Sequence, residues 1–323
     1  MAAADVDAHS KADETLILYY HPVSFYSQKV LFVLHEKKIK FKPYVVDLKG
    51  EQYESWYMKM NPKGEVPVLK DGEKIVSDSS QINDYLEEKY SNENHPSLIP
   101  KKGSEYEKKE RDLRLLLETF PSGIITFGCI KFPELTVNMK MNLLERKLRS
   151  QLFIHLNEVL EKMSKQNSEF RENYLGKKEK FKVLSEKVND INAVLKELEE
   201  IENMLKHIEE ELSSHKDEKE DLWLFGENFT MADVLLAIIL HRLDYLGLWE
   251  KYFSNGKNPH LVKYYNRVKQ RDAYKKVFCG TPALLQLLCN ESTKKGLLAA
   301  TGVAIAIGVA ATGVIIYQKL KRI

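Results

Sequence analysis

Cysteine is scarce. Cys129, Cys279 and Cys289 are the only three in 323 residues, an odd set with no C-x-x-C spacing. Such a set fits a reducing compartment and builds neither a disulfide framework nor a zinc site, so no metal is expected. Blocks of one charge are lacking too: 49 basic residues face 47 acidic ones, for a formal net charge of +2. No basic run is interleaved with aromatics, which argues against nucleic acid as a partner. The first fourteen residues are short of apolar side chains and carry Asp5, Asp7, Asp13 and Glu14. They have neither the apolar core of a secretory signal nor the arginines of a transit peptide, and 1–14 reads as a disordered leader.

One stretch lacks charge altogether. From Gly296 to Tyr317 no side chain is ionisable at neutral pH, with Lys294 and Lys295 before it and Lys319, Lys321 and Arg322 after it. At about 1.5 Å per helical residue, the run matches the roughly 30 Å hydrocarbon core of a bilayer. Residues 296–317 are therefore expected to form a transmembrane tail anchor, inserted after synthesis, with the preceding domains facing the cytosol. Moderate hydrophobicity and basic flanks are the usual character of tails of the mitochondrial outer membrane, the expected address; the tail alone leaves the peroxisome open. Ala300, Ala304, Gly308 and Thr312 recur every four residues. This stripe either lets two tails pack as a homodimer or simply keeps the tail weakly hydrophobic.

The remainder divides in two. Residues 15–90 read as an α/β layer in the order β-α-β-α-β-β-α. Thr15–Tyr20 and Phe41–Leu48 have strand character, and Val68–Lys70 and Lys74–Val76 flank an Asp71-Gly72 hairpin turn. Ser27–Lys37 has helical spacing, with Val30, Val33 and Leu34 on one face and Lys29 off it. A further helix opens at Ser79 or Ser80, either of which could cap it. Residues 91–103 carry Pro96 and Pro100 and read as a linker. From 104 to 288 nearly everything is helical, although Pro121–Pro133 breaks the pattern. Thr230 and Asp233 form a capping box, with Phe229 placed as its staple.

The string Asn61-Pro-Lys-Gly-Glu-Val-Pro-Val-Leu69, followed by Ser77-Asp-Ser-Ser-Gln-Ile82, resembles the thioredoxin-like domain of cytosolic glutathione transferases. The resemblance implies a cis peptide at Pro67, pairing of the Val66 backbone with the cysteinyl part of glutathione, and a γ-glutamyl seat at Asp78 and Ser79. A helix N-terminus with free N–H groups is a natural carboxylate seat. Ser24 matches the position of the thiol-activating residue. It is a catalytic candidate or a plain loop residue, and with Ser27 it cannot form a disulfide. No arginine lies near this loop in the sequence, which argues for weak glutathione binding and turnover near background. The capping-box segment is again similar to these transferases, where its role is structural.

Chain is left over between these landmarks. Residues 169–219 are dense in Lys and Glu, with Val188, Ile191, Leu195, Leu198, Leu205, Ile208 and Leu212 at helical spacing. This insertion reads as a long amphipathic helix, short of a clean coiled coil because its phase slips near Ile201. It is either a solvated hairpin or an arm for protein partners; in both cases it is too polar to be needed for the core. A transferase-like core, such an insertion and a membrane tail, together with Gly128-Cys-Ile-Lys-Phe-Pro-Glu-Leu-Thr-Val137 and His241-Arg-Leu243, resemble the ganglioside-induced differentiation-associated protein family. That resemblance implies a cytosol-facing protein of the mitochondrial outer membrane that promotes fission, as an adaptor or ligand sensor. The competing expectation is a membrane-anchored transferase acting on electrophiles.

Deleting residues 296–323 is expected to release the protein to the cytosol with its domains folded, as read by fractionation. Continued pelleting with mitochondria would reveal a second anchor. Ile307→Arg is expected to weaken insertion, because a mid-bilayer charge costs about 2.5–3.5 kcal/mol on insertion scales.

Overall fold

In a computed structural model that describes residues 16–214, 222–254 and 256–280, the first layer is a four-stranded sheet. The leader and the tail anchor lie outside the described residues. β1 (Ile17–Tyr20) runs parallel to β2 (Lys42–Val45) and antiparallel to β3 (Val68–Asp71), which turns back as β4 (Lys74–Ser77). The order across the sheet is β2-β1-β3-β4. Leu18 and Leu69 face each other across β1 and β3 and are fully buried. Gly72 holds the hairpin turn at φ +58°, a conformation glycine adopts without a Cβ penalty. Three helices complete the layer: α1 (Phe25–Glu36), α2 (Ser55–Met60) and α3 (Ser79–Lys89).

α1 is buried well beyond one face, because it lies between the sheet and the helical domain. Lys29, expected off the apolar face, is only 1% exposed and pairs with Glu118. The helical domain comprises α4 (Glu105–Glu118), α5 (Ser122–Lys131), α6 (Leu143–Gln166), α7 (Arg171–Asn189), α8 (Ile191–Ser213), α9 (Met231–Tyr245), α10 (Pro259–Val268) and α11 (Asp272–Phe278). α9 is its axis. From Val234 to Leu240 its residues are apolar on every side and buried, as expected of a helix that neighbours enclose all round. The Asp233 carboxylate accepts from the Thr230 N–H (2.7 Å) and hydroxyl (2.6 Å), the Leu224 N–H (3.1 Å) and the Tyr264 hydroxyl (2.8 Å). The capping box thus also ties the chain before α9 to α10.

Two expectations are corrected here. Residues 121–133 do not simply break the pattern: most of them form α5. Its glycines, which obscure a helical reading, have a packing reason at Gly128, where an added Cβ would come within 2.7 Å of Val194 on α8. More consequentially, the stretch 169–219 is not one polar arm. α8 buries Val194, Leu198, Ile201, Met204, Leu205, Ile208 and Leu212 in the main core. Its apolar side meets α5, α7 and α10, so the period that suggested an arm belongs to a core helix and not to a coiled coil. α6 and α7 pack against each other as a pair and reach the first domain. Leu156, Leu160, Phe170 and Tyr174 from the pair form a separate cluster with Tyr53 and Met58 of the first domain. The Tyr174 hydroxyl donates to the Tyr53 carbonyl at 2.9 Å. Among the described residues, the α4–α5 stretch Glu105–Lys131 is long and apolar enough to cross a membrane by composition; it is folded into this domain.

Ile201→Ala on α8 is expected to cost about 2–5 kcal/mol, the usual range for truncating a fully buried side chain, in a denaturant titration. A loss below about 0.5 kcal/mol, the range of surface substitutions, would restore the solvated-arm view.

Candidate functional site

The loops at one end of the sheet and the helices α5, α6, α7 and α9 enclose a cleft of about 490 Å³. Ser24, Val66, Pro67, Asp78 and Ser79 all line it. Ser24 is the N-cap of α1, its hydroxyl oxygen accepting from the Ser27 N–H at 3.3 Å. As an acceptor in that bond, Ser24 keeps its own proton for a second partner. The Val66–Pro67 peptide is cis. It is pinned from behind by the Tyr57 hydroxyl and the Asn61 side-chain amide, which both donate to the Glu65 carbonyl at 2.8 Å. Gly64, at φ +58°, lets the turn pass against the Tyr53 ring, where a Cβ would come within 2.6 Å of a ring carbon.

Neither candidate serine caps α3. Asp78 does, at φ +82°, accepting from the N–H groups of Ser80 (2.9 Å) and Gln81 (3.2 Å). A carboxylate outcompetes a hydroxyl for a pair of N–H donors at a helix start. Ser80 turns instead to Glu118, donating at 2.7 Å. Ser79 opens the first turn of α3 and lines the cleft while almost wholly buried. Gln52 also lines the cleft at 3% exposure. Its Nε2 donates to the Leu48 carbonyl, and its Oε1 has no hydrogen-bond partner among the described residues. A buried acceptor left unmatched suits a ligand that brings an N–H donor, which a peptide such as glutathione does.

The helical domain adds what the sequence did not place there. Arg149 and Leu156 reach the cleft from α6, Lys177 and Phe181 from α7, and Arg242 from α9. The expectation of a site without arginine is overturned, because both guanidinium groups come from helices more than a hundred residues downstream of Ser24. Arg242 donates to the Thr126 hydroxyl (3.1 Å), the Val23 carbonyl (3.3 Å) and the Gln28 side-chain oxygen (3.2 Å). Its position held a signal in retrospect, an arginine in the helix whose stretch Val234–Leu240 is apolar on every side. Arg149 binds Glu145 through Nε (3.0 Å) and Nη2 (2.9 Å), and Lys177 pairs with Glu65. Burial, with Arg149 acting in the same sense, lowers the Arg242 pKa to about 9, which leaves it cationic at neutral pH.

His21 lies beside this wall and is 5% exposed. Burial, helped by the charge of Arg149 and opposed by Asp47, lowers its pKa to about 4. Its ring Nδ1 accepts from the Val23 N–H at 3.4 Å, which suits a neutral ring, and its backbone N–H donates to the Ser27 hydroxyl at 3.2 Å, so the residue braces the loop. Burial pushes the Cys129 thiol up to about 12, a structural cysteine. Among the described residues no cluster of histidine, cysteine and carboxylate could hold a metal.

Comparison with known proteins identifies the fold that carries this cleft. Residues 18–94 match the glutathione S-transferase N-terminal domain, and residues 191–267 match the glutathione S-transferase C-terminal domain. α8 falls within the second match, whereas α6 and α7 lie between the two. Over 270 residues the chain is 36% identical to ganglioside-induced differentiation-associated protein 1-like 1 of Homo sapiens, covering 82% of this chain and 74% of that protein. It is 28% identical over 263 residues to glutathione S-transferase TCHQD of Arabidopsis thaliana, covering 80% and 88%. The solved structure of beta-etherase LigF from Sphingobium sp. strain SYK-6 matches with a TM-score of 0.59 at 25% identity, over 83% of this chain and all of that one. That of glutathione S-transferase III in apo form matches with a TM-score of 0.55 at 22% identity, over 83% and 97%.

The depressed His21 pKa carries a pH signature. Between about 4 and 6.5 the unfolded chain takes up a proton at this ring that the folded chain refuses, so stability falls as pH drops through that window. His21→Gln is expected to flatten that part of the stability profile in denaturant titrations at stepped pH. Parallel wild-type and variant profiles would show that His21 is not buried neutral.

Proposed function

This chain belongs to the ganglioside-induced differentiation-associated protein 1 family, built on the two-domain glutathione S-transferase fold, and from that premise we propose that it is a glutathione-recognising adaptor of the mitochondrial outer membrane that promotes fission. The recognition half of this reading is carried by one observation: the cis Val66–Pro67 peptide, the start of α3 at Asp78 and Ser79, and Ser24 share a single cleft. Glutathione would supply a thiol there. The Val66 backbone would align its cysteinyl unit, the first turn of α3 would receive its γ-glutamyl carboxylate, and Gln52 Oε1 would accept one of its N–H groups. The outer-membrane address and a homodimer rest on the uncharged tail and its small-residue stripe. The fission role rests on the family.

A second reading, a membrane-anchored transferase acting on electrophiles, is favoured by a specific feature of the cleft. Arg149 and Arg242 bring positive charge to the side of the cleft that holds Ser24. Cationic neighbours favour a thiolate over a thiol, whose ordinary pKa is about 8.5. The Ser24 proton is also available for a hydrogen bond to that thiolate.

Calorimetric titration of the full chain in detergent micelles is expected to show glutathione binding that Ser79→Ala weakens about tenfold, the size of one charge-assisted hydrogen bond. No binding by the wild type would overturn the recognition reading. Conjugation of glutathione to an aryl halide separates the two functions. Turnover that Ser24→Ala cuts by about a hundredfold, within the range for loss of a group that acts in the transition state, makes this an enzyme. Binding without turnover makes it a sensor.

A further inference from the structure

We propose that the α6–α9 wall of the cleft is an anion subsite, in which Arg149 and Arg242 receive a carboxylate carried on the sulfur substituent of a glutathione conjugate. This rests on the glutathione reading above and names the class of conjugate the cleft takes. The first argument is charge. Arg149 and Arg242 both line the cleft while more than nine-tenths buried, and the charge of Arg149 acts on Arg242. The carboxylate bonded within this group is that of Glu145. Its Oε1 is held by Arg149 and its Oε2 accepts from the Tyr245 hydroxyl at 2.5 Å, so both oxygens are engaged. Among the described residues Arg242 bonds only to neutral oxygens, those of Thr126, Val23 and Gln28. Asp47 acts on His21 from the sheet side, and Lys177 is answered by Glu65. A buried guanidinium without a carboxylate partner is costly, and an entering carboxylate offsets that cost.

Position is the second argument. The seat expected for the γ-glutamyl end lies at Asp78 and Ser79, on the first domain. Both arginines belong to the second domain, and Arg242 meets the first at Gln28 and at the Val23 carbonyl, next to Ser24, where the sulfur is expected. A group attached to that sulfur is therefore directed to them. Shape is the third. Phe25, which lies 5.6 Å below the Arg242 guanidinium, and Tyr26, Phe127, Leu156 and Phe181 make this part of the cleft largely apolar. An aryl or alkyl group ending in a carboxylate satisfies both the walls and the charge.

The test compares S-benzylglutathione with S-(4-carboxybenzyl)glutathione by calorimetric titration of the full chain in detergent micelles. The carboxylated conjugate is expected to bind about tenfold tighter, the equivalent of one charge-assisted hydrogen bond. That ratio is expected to fall to about one in Arg149→Gln and in Arg242→Gln, as the charge they supply is removed. Because Arg242→Gln disturbs a domain contact, the wild-type ratio is also followed with added salt, where it is expected to decline. Equal affinity of the wild type for both conjugates would overturn the anion subsite and leave the glutathione reading standing. Binding of neither would overturn both. Equal loss of the two conjugates in the variants, with the ratio kept, would assign the arginines to the carboxylates of glutathione itself and overturn the proposal.

Discussion

The side chain of Arg242 is bonded at once to α5, to the loop before α1 and to α1 itself, through Thr126, the Val23 carbonyl and Gln28. Much of the molecule depends on that meeting. α9 supplies the apolar axis of the helical domain, and its arginine is the point at which the axis grips the first domain. The loop it grips contains Ser24, so the geometry of the cleft and the docking of the domains are one constraint. Removing the guanidinium would leave several buried acceptors unmatched, each costing about 1–3 kcal/mol. The contact of the two domains continues in the Phe25–Phe120 stack and, at the other end of α1, in the bidentate Arg271–Glu36 pair at 2.6 Å.

The α6–α7 pair supplies part of the wall of the cleft. In sequence it lies between the two segments that match glutathione S-transferase domains. In space it closes one side of the site, with Arg149 and Leu156 from one helix and Lys177 and Phe181 from the other. Its hold on the first domain is a small apolar cluster around Tyr53 and Tyr174, the hydrogen bond to the Tyr53 carbonyl and the Lys177–Glu65 pair. A ligand that fills the space between Ser79 and Phe181 touches both the first domain and α7.

The order β-α-β-α-β-β-α, the hairpin at Asp71-Gly72 and the capping box at Thr230 and Asp233 were legible from the residues alone, because each is set by local chemistry. Strand and helix periods, a glycine in a left-handed turn and a carboxylate three residues after a threonine all act within a few positions. The same locality explains what was misread. The period of α8 is the same whether its apolar face meets water, a partner or a core, and only the neighbours α5 and α10 decide. Asp78 and two serines compete for the same N–H groups of α3, and the winner depends on Glu118, which draws Ser80 away from 38 residues downstream.

By itself the sequence determined that two domains form and that an uncharged run spans 296–317; the cis turn at Pro67 and the seat at the start of α3 were implied by the resemblance to glutathione transferases. Only the tertiary structure decided that Ser24, Val66, Pro67, Asp78 and Ser79 face one cleft together with Arg149 and Arg242. The reason is that the distances that matter for binding and for charge are a few ångströms in space between residues as much as 219 positions apart in the chain. No local pattern encodes them. They follow from the packing of α9 against α1, and from an arginine that has to find its acceptors where those helices meet.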